Sequence, residues 1–469
     1  MISAEWLTGT NALVLELLAT LGVAYLVFGL DDLFIDLVAL ARRLRPREIS
    51  PAEVERLKTA PQKKIAILVP AWREAGIIDR MLAGNLSRIE YAQYHFFVGV
   101  YPNDPDTAQK VCEVSRRHPN VHAVVNTRNG PTSKGQILNH VVRQILQFES
   151  REGFEFDVFL MQDAEDLIHP LTLPLINDRI PRYDFVQIPV FSLDVRARQL
   201  VAGTYVDEFA ESHTKDILVR EAMGAAVPSA GVGTAMSRRL VLGMLEGQGG
   251  TLFNEGSLTE DYELGVRAHA AGFRPHVAAC WYRDGARREF IATREYFPKK
   301  FDRSVRQKTR WTTGITLQGS RNLGWMGSLA NRYFLARDRK GIVANVATVL
   351  GYVAAALAAA YAAVLDAEAV SAALVSPFAQ WALGLNGFLM VWRLGQRAVC
   401  VRRVYGWAAV WAIPLRWPLA NTINAFAACR AVRQDVLARF TRATLEWVKT
   451  EHELPELFGQ SRPSVGVAK

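Results

Sequence analysis

The chain has 469 residues, 50% of them hydrophobic and 22% charged, with a formal net charge of +9. That length holds one large domain or two medium ones. The apolar excess and near-zero mean hydropathy point to a soluble part joined to membrane segments. Cys112, Cys280, Cys400 and Cys429 lie far apart with no C-x-x-C, which speaks against a zinc site or a disulfide scaffold and fits a reducing compartment.

Residues 1–41 contain no Lys or Arg, and Ala12 to Leu30 is apolar except for Glu16, long enough to span a bilayer. Asp31, Asp32 and Asp36 follow, then Arg42, Arg43, Arg45 and Arg47. The positive-inside rule puts the N-terminus outside and Arg42 onward in the cytoplasm. A cleaved signal peptide fits less well, because no basic region precedes the apolar run. Residues 42–63, with Pro46, Pro51 and Pro61, read as a polar linker.

Five apolar runs then read as strands: 64–70, 95–101, 121–125, 156–161 and 185–190, with helical patterns between them. Such alternation predicts a mostly parallel α/β sheet covered by helices, with ligands beyond the carboxyl ends of the strands. Downstream, Ile342 to Asp366 and Ala372 to Trp392 are apolar enough to span, joined by an uncharged-to-acidic loop that reads as external. Residues 404–428 are apolar but carry Pro414, Arg416 and Pro418 between two basic flanks, which favours a re-entrant or interfacial helix pair. Residues 429–469 read as a cytoplasmic tail. The expected division is therefore 1–41 transmembrane helix, 42–63 linker, 64–330 catalytic domain, 331–428 membrane helices and 429–469 tail.

Acidic residues fall where the strands end. Asp163-Ala164-Glu165-Asp166 follows the fourth strand, and Asp163 with Glu165 could share a divalent cation with a nucleotide diphosphate. A plain turn, with Asp166 capping a helix, explains the same residues. Asn103-Asp104-Pro105-Asp106 follows the second strand, either as a turn or as a carboxylate for a base or ribose. Thr259-Glu260-Asp261 opens a helical pattern; its carboxylates suit the helix dipole, or Asp261 is a general base for a sugar hydroxyl. Gly231 and Gly233, in Ser229–Thr234, would let an acceptor approach the backbone closely, and a plain tight loop explains them equally well.

Gln307-Lys308-Thr309-Arg310-Trp311 closes the α/β region. On a helix, Gln307, Arg310 and Trp311 share about one and a half turns. They suit an oligosaccharide and a phosphate, and equally an amphipathic helix at a membrane. The basic run around them could bind nucleic acid, but the adjoining membrane segment argues against that partner. His169, His213 and His269 lack metal-ligand spacing and read as structural.

In joint order these motifs resemble the processive family-2 glycosyltransferases, the relatives of cellulose and hyaluronan synthases, over roughly residues 60–330. Val69–Glu74, Gln162–Asp166 and Trp447–His452 are closest to the bacteriophage-adsorption protein B subgroup. The resemblance implies a GT-A fold with transmembrane helices before and after it. It also implies an inner-membrane enzyme that builds an extracellular polysaccharide from a UDP-sugar donor, extending a growing polysaccharide acceptor at the lipid bilayer. It assigns Asp261, with Glu260 and Thr259, to catalysis. Pro70, Ala71, Glu74, Asp104, Lys134, Asp163 and Arg310 would bind the donor. Gln307, Trp311, Gly231 and Gly233 would bind the acceptor, and Asp163 and Glu165 would hold Mg²⁺ or Mn²⁺. Glu165 stands where many relatives have a second Asp. Longer subgroup members carry a domain resembling a cyclic-di-GMP receptor, which is absent here, so the chain reads as truncated or as a short member. The few membrane segments imply an oligomer or an outer-membrane export partner. Two rival readings are a non-catalytic receptor scaffold on the same fold and a single-sugar transferase acting on a lipid carrier.

Overall fold

Residues 4–247, 249–285, 287–364 and 377–441 are described by a computed structural model. Helix α1 (Ala4–Ala41) leads into a short strand, Arg47–Glu48, and a helix, Pro51–Thr59. The expected linker is therefore ordered. Arg47 and Glu48 pair in parallel with Cys280 and Trp281, and Ile49 and Leu57 are buried. Pro51 does not break the chain; it sits in the first helical turn, where no N–H is needed.

The central sheet has seven strands: β1 (Ile65–Pro70), β2 (Tyr94–Val100), β3 (Val121–Val125), β4 (Val158–Met161), β5 (Phe185–Gln187), β6 (Thr234–Ser237) and β7 (Pro275–Val277). Their order is β3-β2-β1-β4-β6-β5-β7. β1 to β4 pair in parallel, β6 is antiparallel to both neighbours, and β7 is parallel to β5. Ile65, Ile67 and Val69 face one core, and Ala66 and Leu68 face the other. A strand buried on both faces reads as the unbroken apolar run seen in the sequence. The expected fifth strand splits after Gln187. Pro189 has no N–H for a ladder, and Val190–Ser192 pairs with Thr293–Glu295 instead. The short strands β6 and β7 carry too few apolar residues to show a period.

Helices α2 (Lys134–Glu152), α3 (Leu200–Glu211), α4 (Glu260–Ala270) and α5 (Phe301–Trp311) surround the carboxyl ends of the strands. α6 (Leu329–Val364), α7 (Pro377–Tyr405) and α8 (Ile413–Thr441) follow. The start of α6 belongs with the catalytic domain, since Phe334 and Leu335 are buried. Among the described residues one stretch, Leu329–Ala360, is long and apolar enough to cross a membrane. The expected span Ala12–Leu30 lies within α1, and the one from Ala372 extends in part beyond the residues described. The loop 366–371 and the tail from 442, with its Trp447–His452 motif, lie outside them.

α1 packs on both α6 and α7. Tyr25 donates to the Ala347 carbonyl at 2.6 Å, and Asn386 donates to the Gly22 carbonyl at 3.0 Å. Asp31, Asp32 and Asp36 join an ion network with α3, α6 and α7. Lys215 pairs with Asp36 and, at 2.9 Å, with Glu211. Arg393 and Arg397 reach Glu211 at 3.1 and 2.9 Å. Arg337 and Lys340 reach Asp32 at 2.9 and 3.1 Å.

Over 404–428, α7 runs to Tyr405, Gly406 (φ 78°) turns the chain, and a short helix, Trp407–Val410, precedes α8. α8 then continues unbroken past residue 428. It is tied to the catalytic domain by Arg416, which donates to Asp207 at 2.7 and 2.9 Å.

Candidate active site

A cavity of about 430 Å³ opens at the carboxyl ends of β1 and β4. Pro70 and Ala71 form its first wall, and Ala71 N–H extends the ladder to the Gly99 carbonyl at 2.8 Å. Trp72 packs edge-on against Tyr101 (5.0 Å). Arg73 has φ 56°, in the left-handed region that a non-glycine residue occupies only under restraint. The restraint comes from the segment after β2. Asp104 accepts the Arg73 N–H at 2.5 Å, and Thr107 Oγ1 accepts the Glu74 N–H at 2.9 Å. This holds Glu74 at the cavity wall. Asp104 stands behind that wall, its carboxylate bracing the turn. Asp106 is exposed.

Lys134 opens α2, whose N-cap is Ser133 (Oγ accepting the Gln136 N–H at 3.2 Å). That placement sends its ammonium into the cavity, 2.6 Å from Asp163 Oδ1. Burial works against the charged ammonium, but Asp163, Glu260 and Asp261 together raise its pKa. Glu165 is buried and also lines the cavity. Asp166 closes the turn by accepting the Asp163 N–H at 2.7 Å; it caps no helix, the next of which starts at Thr172. Burial, then Glu295, Asp163 and Glu165, push its carboxyl well up.

Among the described residues no three His, Cys, Asp or Glu side chains form a metal cage. Two carboxylates on one cavity wall do fit a hard cation that takes its remaining ligands from a diphosphate and water. Asp163 and Glu165 satisfy that requirement.

Glu260 and Asp261 start α4. Burial and then Asp261 push the Glu260 carboxyl up to about 8, while Lys134 opposes the shift. Burial also raises Asp261, against the pull of Lys134 and Arg310. Asp261 Oδ2 sits so close to Gly231 (φ 82°) that a Cβ there would be 2.4 Å from it. Gly231 therefore makes room for the carboxylate. Gly233 (φ 61°) is confined instead by Thr293 and Ile188. Neither glycine lines the cavity itself, although Ser229 and Ala230 beside them do.

Arg310 and Trp311 line the cavity from α5, and Gln307 does not. The Gln307 Oε1 is buried without a hydrogen-bond partner among the described residues. α5 is anchored by Lys308, which reaches Glu208 at 2.5 Å and Asn424 of α8 at 2.9 Å. It runs into a wide π-helical segment, Thr312–Gln318, of a kind frequent at functional sites. Gly314 in that segment lies against Thr259, where a Cβ would meet Oγ1 at 2.4 Å. Gln318 Oε1 accepts the Leu258 N–H at 2.8 Å. Beside Asp261, Tyr262 donates to Asp338 of α6 at 2.6 Å, and Arg220 pairs with the same carboxylate at 2.8 Å.

The sequence reading missed Glu208, Phe209, His213 and Asp338, all of which line the cavity. They sit in helices with no motif of their own, and only packing brings them in.

Residues 61–314 match the model of the glycosyltransferase-like family 2. The chain is 40% identical to bacteriophage adsorption protein B of Escherichia coli (strain K12) over 484 residues, covering 98% of this chain and 64% of that protein. Bacteriophage N4 adsorption protein B of Escherichia coli O157:H7 gives the same values. The chain thus spans 64% of the length of the curated relatives it matches. Among solved structures, the mannosyltransferase PcManGT from Pyrobaculum calidifontis, in complex with GDP-Man and Mn²⁺, shares the fold. Its TM-score is 0.51 at 18% identity, covering 82% of this chain and 98% of that one. The strand order, the clustered acidic strand ends and the match across most of the α/β region converge on a GT-A fold, and the chain belongs to glycosyltransferase family 2.

Proposed function

We propose that the chain is an inverting glycosyltransferase of the bacterial inner membrane that polymerises a hexose or N-acetylhexosamine from a UDP-sugar into a surface polysaccharide. The observation that carries this reading is the meeting of Asp261, Lys134, Asp163 and Arg310 in one cavity. Asp261 takes the proton from an acceptor hydroxyl as its oxygen attacks the anomeric carbon. The bond from that carbon to the diphosphate breaks on the opposite face, and the anomeric configuration inverts. Lys134 and Arg310 offset the charge that develops on the departing diphosphate. Asp163 and Glu165 would hold Mg²⁺ or Mn²⁺, which supplies further positive charge to the diphosphate when bound.

Pro70, Ala71 and Glu74 bound the donor side, and Trp311 offers an apolar face to the acceptor sugar. Glu260, with its raised carboxyl, and Thr259 shape the base's surroundings. The catalytic domain is cytoplasmic, α6 crosses the bilayer, and the product serves as part of a phage receptor, in keeping with the phage-adsorption names of the relatives.

The test is a screen of UDP-sugars for UDP release by purified protein with Mn²⁺ or Mg²⁺. At least one donor is expected to give release that the Asp163→Ala/Glu165→Ala variant lacks. No release with any donor would overturn the enzyme reading. Product length separates polymerisation from single addition.

A further inference from the structure

A chain of polar contacts starts at Asp261 and ends on α6. Asp261 Oδ1 accepts the Tyr262 N–H at 2.8 Å. The Tyr262 phenol donates to Asp338 Oδ2 at 2.6 Å. Arg220 Nη1 donates to both oxygens of the same carboxylate, at 3.0 and 2.8 Å. Tyr262 and Arg220 are each 4% exposed, and Tyr262 and Asp338 both line the cavity.

Each member is fixed from a different element. Asp338 belongs to Leu329–Ala360, the stretch long and apolar enough to cross a membrane. Its carbonyl accepts the Thr316 hydroxyl of the π-helical segment at 3.2 Å. Arg220 also donates from Nε to the Ala226 carbonyl, and the Ala226 N–H donates to Asn331 Oδ1 of α6 at 3.1 Å. The Arg220 guanidinium lies over the Phe334 ring, 5.3 Å from its centroid. These bonds lock the start of α6 in register with residues 220–226 and leave the Asp338 carboxylate facing Tyr262.

The start of α4 depends on such outside support. Its N-cap, Thr259, makes no side-chain capping bond. Tertiary bonds hold the first turn instead: Glu263 accepts from Asn254 and Asn322 at 2.9 and 2.6 Å, and Tyr262 reaches Asp338. Tyr262 is the neighbour of Asp261, so a turn that moves its ring also moves the carboxylate. Asp261 has little room for that, since a Cβ on Gly231 would be 2.4 Å from Oδ2. A general base must stay within hydrogen-bond reach of the proton it takes, and a misplacement of about 1 Å can cost about 10²-fold in rate.

We propose that Asp338 is a positioning residue for the base and acts through Tyr262: a carboxylate on the membrane-crossing helix sets the first turn of α4 and so directs Asp261. The inference rests on the glycosyl-transfer reading above. It names the contact through which the seating of α6 in the bilayer reaches the reacting atoms.

The experiment measures kcat and donor KM with the full chain in membranes and the UDP-sugar that supports UDP release. Tyr262→Phe keeps the buried ring and removes only the hydroxyl. It is expected to lower kcat about tenfold, as for a base held out of line, with the donor KM changed less than about twofold. Asp338→Asn keeps an oxygen for the phenol and Asp338→Ala keeps none, while both lose the ion pair with Arg220. Their thermal unfolding in detergent should therefore fall together, and Asp338→Asn should keep several-fold more of the kcat. A Tyr262→Phe kcat within about twofold of the unaltered value would overturn the positioning role. So would equal kcat in Asp338→Asn and Asp338→Ala, which would mark Asp338 as a structural partner of Arg220. Absence of UDP release by the unaltered enzyme would instead sink the glycosyl-transfer reading, and this inference with it.

Discussion

Asp261→Asn is expected to lower sugar transfer by about 10²–10⁴-fold, the usual contribution of a positioned general base. The substitution keeps size and keeps an oxygen for the Tyr262 N–H, which Asp261 Oδ1 now accepts at 2.8 Å. It also removes one of three carboxylates crowded around Lys134. The fold should therefore survive while the proton acceptor is lost. Labelled sugar incorporation in membranes is the measurement, and activity retained by Asp261→Asn would show that the base lies elsewhere.

The unaltered enzyme should show the matching pH dependence. Burial raises both Glu260 and Asp261, so transfer rises with pH as the pair loses its protons, on a limb above the ordinary carboxylate range. For stability the sign is opposite. A carboxyl raised from 4.5 to about 8 on folding stabilises the fold fully below 4.5, and that contribution is lost progressively up to about 8. A rate that falls across this interval would contradict the assignment.

Arg416→Ala is expected to destabilise the protein by about 3–5 kcal/mol, the usual result of stripping one partner from a buried ion pair. Arg416 and Asp207 are 3% and 1% exposed. Gly203 leaves space for the guanidinium, because a Cβ there would be 2.5 Å from Arg416 Cδ. Burial already outweighs Arg416 and Arg397 in setting Asp207, whose carboxyl is pushed up to about 7. Without Arg416 the carboxylate would have to take up a proton or draw in water. Thermal unfolding in detergent measures the loss. An apolar pair, Arg416→Met with Asp207→Leu, should recover most of it, since replacing both charges is often neutral. A loss below about 1 kcal/mol would place the pair in the range of exposed ion pairs. Because α8 also holds Lys308 through Asn424, the same variant should loosen the helix that presents Arg310 and Trp311.

The parts of the site legible in the sequence are those whose chemistry and placement are local. Asp163 and Glu165 directly follow a buried strand, Lys134 follows a helix-capping serine, and Asp261 begins a helix. Pattern alone puts Asp163 and Glu165 at the carboxyl edge of the sheet, where ligands gather; Lys134 and the role of Asp261 come from the resemblance to the family. β1 to β4 were readable for the same reason, as apolar runs buried on two faces.

Other features depended on long-range packing. Asp104 has the right position after β2, but only the fold shows its carboxylate bracing Arg73. Asp31, Asp32 and Asp36 look like a flank at the end of an apolar run, and only the meeting of α1 with α3, α6 and α7 turns them into a buried ion network. Asp338 carries no spacing signal, and only the folded chain brings it to the Tyr262 phenol. Sequence by itself determined β1 to β4 and the acidic residues that follow them, through covalent order and hydrophobic period, and the family, through the joint resemblance of its motifs. Tertiary structure decided which carboxylates are spent on bracing and which polar groups remain for a ligand, because hydrogen bonds between distant elements are settled only when the elements pack.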